Sequence, residues 1–333
     1  MLRIEFTTQD LNRLRVSGDV HPLWETVLSL QLLQNRHAAL TFDPWRRQVR
    51  AALARSGLVP TTTVLTLVCP HAEYFPDFLT PGNGCASLDE GLDTVLSTPK
   101  PRLEQELSRL APQRAMPPVI QRLARGEPTA LRWLGESLRR YYDAAVAPYL
   151  QAIRATMAAD RPRRSDAALA GGAEGLLATY QNELTWRGDA LECAYPVDQE
   201  LILAGRPLSL VPSFFCARRP VTLADPDLPP VLVHPLRPAP GWLDAPTDPA
   251  STLDALGQLL GHTRAQVLDL LDVPMSTGRI AAELHLAPAS ASRHATVLRE
   301  AGLLTSQRQQ REVLHRRTPL GDAMLNGVLH KAI

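Results

Sequence analysis

The sequence predicts a mainly α protein of the α+β class, with a helical N-terminal domain carrying a β-rich segment and then a small C-terminal domain of helices and a hairpin. Three observations predict it. Apolar residues recur at helical spacing over 22–34, in the segment that follows, and again over 129–159. Short apolar runs separated by Gly, Pro and Asp replace that pattern over 184–234. Prolines at 235, 238, 240, 246 and 249 then interrupt the chain, and every aromatic residue lies at or before Trp242. The boundaries read from these shifts are an N-terminal domain 1–234, a proline-rich linker 235–250 and a C-terminal domain 251–333. A length of 333 residues accommodates two domains, at about 150 residues per domain. An apolar fraction of 45% and a charged fraction of 21% exclude wholesale disorder.

A short extended start at residues 2–6 precedes the first helix. In 22–34, Leu23, Val27, Leu30 and Gln34 form one stripe with Trp24, Leu28 and Gln31 beside it, which predicts an amphipathic helix. Asp43 followed by Pro44 reads as an N-cap with proline at the first helical position, and Gly57 as the stop of the helix containing Trp45, Val49 and Leu53. Ser87-Leu-Asp-Glu90 can form a capping box. The stretch 129–159 reads as a long helix kinked near Pro148, where a backbone donor is missing. Runs at 191–195, 201–204, 208–211 and 231–233 read as strands.

Beyond the linker, residues 256–271 form an apolar-periodic helix. Ser276 then stands where it would cap a helix from Thr277 through Leu284, with Ile280, Ala281 and Leu284 inward. After His285-Leu-Ala287, Pro288 opens a second helix that Gly302 stops at the left-handed cap position. Ala291, Ala295 and Leu298 face inward. Ser290, Ser292, Arg293 and Thr296 therefore project from its front half, small polar groups and one arginine suited to a DNA major groove. His294 lies near the inner face, where a hydrogen-bonded structural role and a phosphate contact are both open. Residues 303–318 alternate about a polar centre as a hairpin tipped by Gln309 and Gln310. Its Arg308, Arg311, Arg316 and Arg317 can reach phosphates or remain solvated, and Arg316 or Arg317 can point away because strand neighbours face opposite sides. Net charge over the whole chain is only +1, yet residues 290–318 hold six arginines against Glu300 and Glu312. The excess sits where a polyanion-binding surface needs it.

The run from Ile280 to Leu304 and the run Val313-Leu-His-Arg-Arg-Thr-Pro-Leu-Gly321 resemble the recognition unit, wing exit and last helix of the ArsR family over about seventy residues. Ala295 stands where leucine is usual and Ala287 where a capping serine is usual. Pro22-Leu-Trp-Glu25, Pro76-Asp-Phe-Leu-Thr-Pro81, Gly171-Gly-Ala-Glu174 and Leu210-Val-Pro-Ser213 more weakly resemble an uncharacterised domain that precedes such a winged helix in regulators of high-GC bacteria. The resemblance implies a C-terminal winged helix-turn-helix and a dimeric transcriptional regulator, a repressor of a gene with a pseudo-palindromic double-stranded operator. The family's metal sensors carry Cys-x-Cys on the first helix of the motif or Asp/His on the last; no cysteine follows residue 250, so that sensing mode is not expected.

Cys69, Cys85, Cys193 and Cys216 lack zinc-ligand spacing and read as buried reduced thiols. Trp24, Trp45, Tyr74, Phe75, Phe78, Trp133, Tyr141 and Tyr142 could line a cavity for a small organic effector or fill a core. No Walker, His-Glu-x-x-His or Gly-x-Ser-x-Gly motif occurs, and Gly171-Gly-Ala-Glu-Gly175 lacks dinucleotide-loop spacing, so neither catalysis nor a cofactor is expected. Ser97-Thr-Pro-Lys100 fits Ser-x-x-Lys without its companion motifs. No apolar run approaches the ~18 residues of a membrane span, and the N-terminus lacks a signal-peptide core, so a cytoplasmic protein is expected. An enzyme with a DNA-binding appendage and a non-sensing architectural or partner-recruiting protein are the competing classes.

Overall fold

A computed structural model describes residues 1–81, 87–110, 116–180, 184–243, 249–271, 273–309 and 312–326. The chain divides into two units, Met1–Leu243 and Asp244–Ile333. The first opens with β1 (Leu2–Glu5), α1 (Thr8–Leu11), β2 (Arg15–Val16), α2 (Pro22–Leu33), α3 (Ala39–Arg55) and α4 (Val59–Val68). After a 3-10 turn at Asp77–Leu79 come α5 (Leu88–Leu96), α6 (Lys100–Ser108), α7 (Pro118–Ala124) and α8 (Pro128–Ala145). A second such turn at Ala147–Tyr149, holding Pro148, separates α8 from α9 (Leu150–Ala178), which itself breaks at Gly171 and Gly172. The unit ends with β3 (Thr185–Trp186), β4 (Ala190–Cys193), β5 (Gln199–Ile202), β6 (Ser209–Ser213), β7 (Val221–Thr222) and β8 (Val231–Pro235).

These strands make two four-stranded sheets rather than one β-rich segment. In one, ordered β3-β4-β1-β5, β1 lies antiparallel to β4 and parallel to β5. In the other, ordered β2-β6-β8-β7, β6 and β8 pair in parallel, Leu210 opposite Leu232 and Val211 opposite Val233. Every residue of β6 and β8 is buried. Alternate side chains feed two cores: Val211, Val231 and Val233 join the helices, and Leu210 and Leu232 join Leu2, Ile4, Leu177 and Leu191. A strand pair covered on both faces is the setting in which parallel pairing and near-continuous apolar runs occur.

The helical core explains why α2 is not amphipathic as its stripe suggested. Residues 22 to 32 are all buried, so the helix is central, and its polar groups need internal partners. Glu25 finds three: its carboxylate accepts from the backbone N–H of Phe214 (2.8 Å) and Phe215 (3.1 Å) and from the Ser213 hydroxyl (3.1 Å), tying α2 to the end of β6. Burial nevertheless pushes that carboxyl up to about 7. Helix α3 begins at Ala39, four residues ahead of the Asp43 cap expected, and carries Pro44 within it. Ala38 turns the chain in the left-handed region (φ 48°), and Asp43 instead pairs with the buried Arg46 at 2.6 Å. The Ser87 hydroxyl caps α5 by accepting from Glu90 N–H.

Trp242 is buried against Phe42 and Phe214, at ring separations of 6.3 and 4.7 Å, and donates its indole N–H to the Thr41 carbonyl. The linker expected at 235–250 is therefore corrected at its start: Pro235 closes β8, and the chain stays docked through Leu243 because burying an indole with its N–H satisfied outweighs proline's dislike of regular structure. Residues 244–248 of that stretch lie outside the described residues.

The second unit contains α10 (Pro249–Leu260), α11 (His262–Leu270), β9 (Met275–Ser276), α12 (Thr277–Glu283), α13 (Pro288–Glu300), β10 (Leu304–Gln309), β11 (Glu312–Arg317) and α14 (Pro319–Asn326). The single helix expected over 256–271 is two, divided at Gly261, whose φ of 91° no helix accommodates. Strands β10 and β11 form a hairpin and β9 adds to β11. The core is aliphatic: Val267, Leu268, Ile280, Ala291, Leu298 and Leu303 are buried together. Among the described residues no helix is long and apolar enough to cross a membrane.

Candidate functional site

In the second unit, α12 buries Ile280 and Ala281 at its inner face. Ser276 stands at its N-cap in extended conformation, but its hydroxyl makes no capping bond. The chain leaves α12 through His285 in the left-handed region (φ 53°), closed by Leu286 N–H to the Ala281 carbonyl at 2.8 Å. Pro288 enters α13 at its first turn, after Ala287, which offers no side-chain cap. The helix ends in a Schellman motif: Gly302 (φ 74°) donates to Arg299 and Leu303 to Leu298.

On α13, Ala291, Ala295 and Leu298 are buried, and Ser292 and Arg293 are exposed. Ser290, His294 and Thr296 are half-buried on its flanks, so all five residues singled out on this helix lie off the fully buried stripe. The outward surface also contains Val297, at 39% exposure an apolar group that the sequence reading assigned no role. Among the described residues Arg293 has no ion-pair partner, whereas Arg279 on α12 pairs with Glu283.

The hairpin separates its arginines. Arg308 lies opposite Val313, Ser306 opposite His315 and Thr305 opposite Arg316. Cross-strand partners share a face and successive residues alternate, so exposed Arg308 shares the His315 face and exposed Arg316 occupies the other. Arg317 is structural: it donates to the Leu268 and Asp269 carbonyls and pairs with Asp322 at 2.8 Å. Gln309 closes β10 opposite Glu312. Gln310 and Arg311 lie outside the described residues.

Sequence reasoning missed the role of His315. Its imidazole is buried, with Nε2 2.8 Å from the Thr277 hydroxyl and Nδ1 2.8 Å from the Ser306 hydroxyl, joining the start of α12 to the hairpin. Burial first, and then the Arg299 cation, lower its pKa. The signal available was a histidine two residues from Val313 in an alternating strand, hence on one face with it; nothing local named Thr277.

The first unit contains a cleft of about 870 Å³. Of the aromatic residues considered for a cavity, Tyr74 and Phe75 line it, while Trp24, Trp45, Phe78 and Tyr141 fill the core. Asp77 also lines it, its carboxylate accepting from the backbone N–H of Ala224 and Asp225; burial raises that carboxyl to about 6. Cys69, Cys193 and Cys216 are buried, with burial raising the Cys69 and Cys193 thiols; Cys85 is outside the described residues. Among the described residues no three His, Cys, Asp or Glu side chains gather as a metal site. In comparisons with known proteins, no family model, no curated protein and no solved structure matches this chain.

Proposed function

We propose that the chain is a DNA-binding transcriptional regulator whose second unit is a winged helix-turn-helix. In this reading α13 enters the major groove, α12 crosses the backbone, and the hairpin is the wing. The observation that carries it is the uncovered face of α13, where Ser292 and Arg293 stand free beside Ser290 and Thr296 after a tight turn from α12. Arg308 and Arg316, on opposite faces of the hairpin, are the groups left to meet phosphate.

One such helix reads a half-site, so the protein acts as a dimer on a pseudo-palindromic operator with half-sites about 34–36 Å apart or a multiple of that. It represses in one state and is released in another, the first unit acting as a domain for a small organic effector. Coupling of about 1–3 kcal/mol suffices.

The test begins by selecting duplexes from a randomised pool with the full chain and footprinting the winners. Arg293→Ala should relax preference at one base position, at a cost of about 1–3 kcal/mol, while Arg308→Ala should weaken all sequences alike and lower the salt slope by about one. Equal losses on every sequence for both variants, or a single unrepeated half-site protected by a monomer, would overturn the assignment.

A further inference from the structure

One end of the cleft in the first unit brings two imidazoles and two guanidiniums together. The connection between α2 and α3 carries His37, and the segment after α4 carries His71; their rings lie 5.2 Å apart, edge to face. Both loops are built rather than loose. Gln31 donates to the Pro70 carbonyl, and Gln34 donates to the Cys69 carbonyl and accepts from His71 N–H. The buried Arg46 holds the Leu32 and His37 carbonyls at 2.9 and 2.6 Å. The chain beyond β6 supplies Arg218 and Arg219 to the same cleft, and among the described residues neither guanidinium has an ion-pair or hydrogen-bond partner.

The electrostatics of the two imidazoles agree with this crowding. Burial and the cations Arg218, Arg46 and Arg219 lower the pKa of His37; burial, His37 and the Arg218 and Arg219 guanidiniums lower that of His71. Among the described residues no carboxylate opposes them at either ring. Of the acids that line the cleft, Asp77 is committed to the amides of Ala224 and Asp225, and Asp198 to the Met1 ammonium at 2.7 Å. Glu73 and Glu200 also line it, and neither is among the charges that shift either imidazole. Arg218 and Arg219 are the fixed positive charges here, the two imidazoles can donate or accept a hydrogen bond beside them, and guanidinium forks match phosphate and carboxylate oxygens.

We propose that the His37, His71, Arg218 and Arg219 end of this cleft binds a small organic anion, a phosphate ester or a polycarboxylate, as the ligand of the effector domain inferred above. About 870 Å³ accommodates such a molecule.

Titration calorimetry on the full chain, without DNA, tests the site with pyrophosphate and citrate as probes and spermidine as the cationic control. One of the two anions should bind saturably at millimolar concentration or below, and the better one distinguishes phosphate from carboxylate chemistry. The double variant Arg218→Gln with Arg219→Gln should bind it at least tenfold more weakly with an unchanged circular dichroism spectrum, and the Lys pair should retain part of the affinity. Binding that is equal in the wild type and the Gln variant, absent for both anions, or matched by spermidine overturns the proposal. Should the Gln pair fail to fold, His37→Gln carries the same expectation and the same refutation. Operator affinity with and without the bound probe is a separate measurement. If binding is lost in the variant while operator affinity in the wild type never moves, the anion site stands and only its regulatory role falls.

Discussion

Replacing Glu25 by Gln should remove a pH dependence of stability that this one carboxyl imposes on the first unit. The group is fully buried and its pKa rises from an ordinary 4.5 to about 7. The folded state thus holds the proton more tightly than the unfolded chain. Stability is greatest below about pH 4.5 and declines as pH rises to about 7, after which the loss is complete. At 1.36 kcal/mol per pH unit of displacement, the span amounts to about 3 kcal/mol. The amide introduced by Glu25→Gln would keep one carbonyl acceptor for the backbone N–H groups of Phe214 and Phe215 and leave the other N–H short, a cost of about 1–3 kcal/mol that does not vary with pH. The quantity to measure is therefore the difference in unfolding free energy between wild type and Glu25→Gln, by urea titration from pH 4.5 to 8. All other titrating groups cancel in it. Tryptophan fluorescence isolates the right unit, because all five tryptophans lie within Met1–Leu243. The wild type should lose about 3 kcal/mol relative to the variant across that range. A difference flat to within about 1 kcal/mol, or one that favours the wild type as pH rises, would refute the reasoning.

Two predictions concern the second unit and are read by hydrogen exchange of the full chain. At Gly321 an added Cβ would lie 2.3 Å from the Leu303 carbonyl oxygen, a backbone atom that cannot swing aside; Gly321→Ala should cost about 1–3 kcal/mol and speed exchange in α14 and around Leu303, and unchanged protection there would show that α14 is not seated as described. His315→Ala removes the partner of both Thr277 and Ser306, so a loss of about 2 kcal/mol and faster exchange in the hairpin are expected. Because burial lowers the imidazole's pKa, its contribution is present above its ordinary range and lost as pH falls below it; hairpin protection indifferent to both changes would count against the bridge.

The second unit was the more legible because its signals are local. Pro288, the inward spacing of Ala291, Ala295 and Leu298, and Gly302 at the cap position coincide with the helix observed. Local signals also misled: the apolar period over 256–271 runs through Gly261 without a phase change, and only the backbone angle there shows the break. In the first unit the strand runs were visible, but their division into two sheets depends on β1 and β2, far away in the chain, and no local pattern specifies partners at that separation. The stripe on α2 was real yet incomplete, since helices and sheet cover it from all sides and so make Glu25 an internal group. The cationic end of the cleft was invisible for the same reason. His37, His71, Arg218 and Arg219 come from three segments, and each by itself reads as a solvated polar residue.

The place of β1 has a consequence for how the molecule is made. Leu2–Glu5 is an inner strand, with residues 190–193 on one side and 199–202 on the other. On the ribosome those four residues emerge before either neighbour, and both neighbours arrive only after almost two hundred more have been added. Until then Leu2 and Ile4 have no sheet in which to be buried. At about 5–20 residues per second that interval is about 10–40 seconds, during which the strand is an open edge available to other chains. The helices between can collapse in the meantime, but closure of the unit is a late, long-range event. A fragment ending before residue 199 would leave β1 with one open side, and removing residues 2–5 would take the middle out of a sheet whose other strands lie almost two hundred residues downstream.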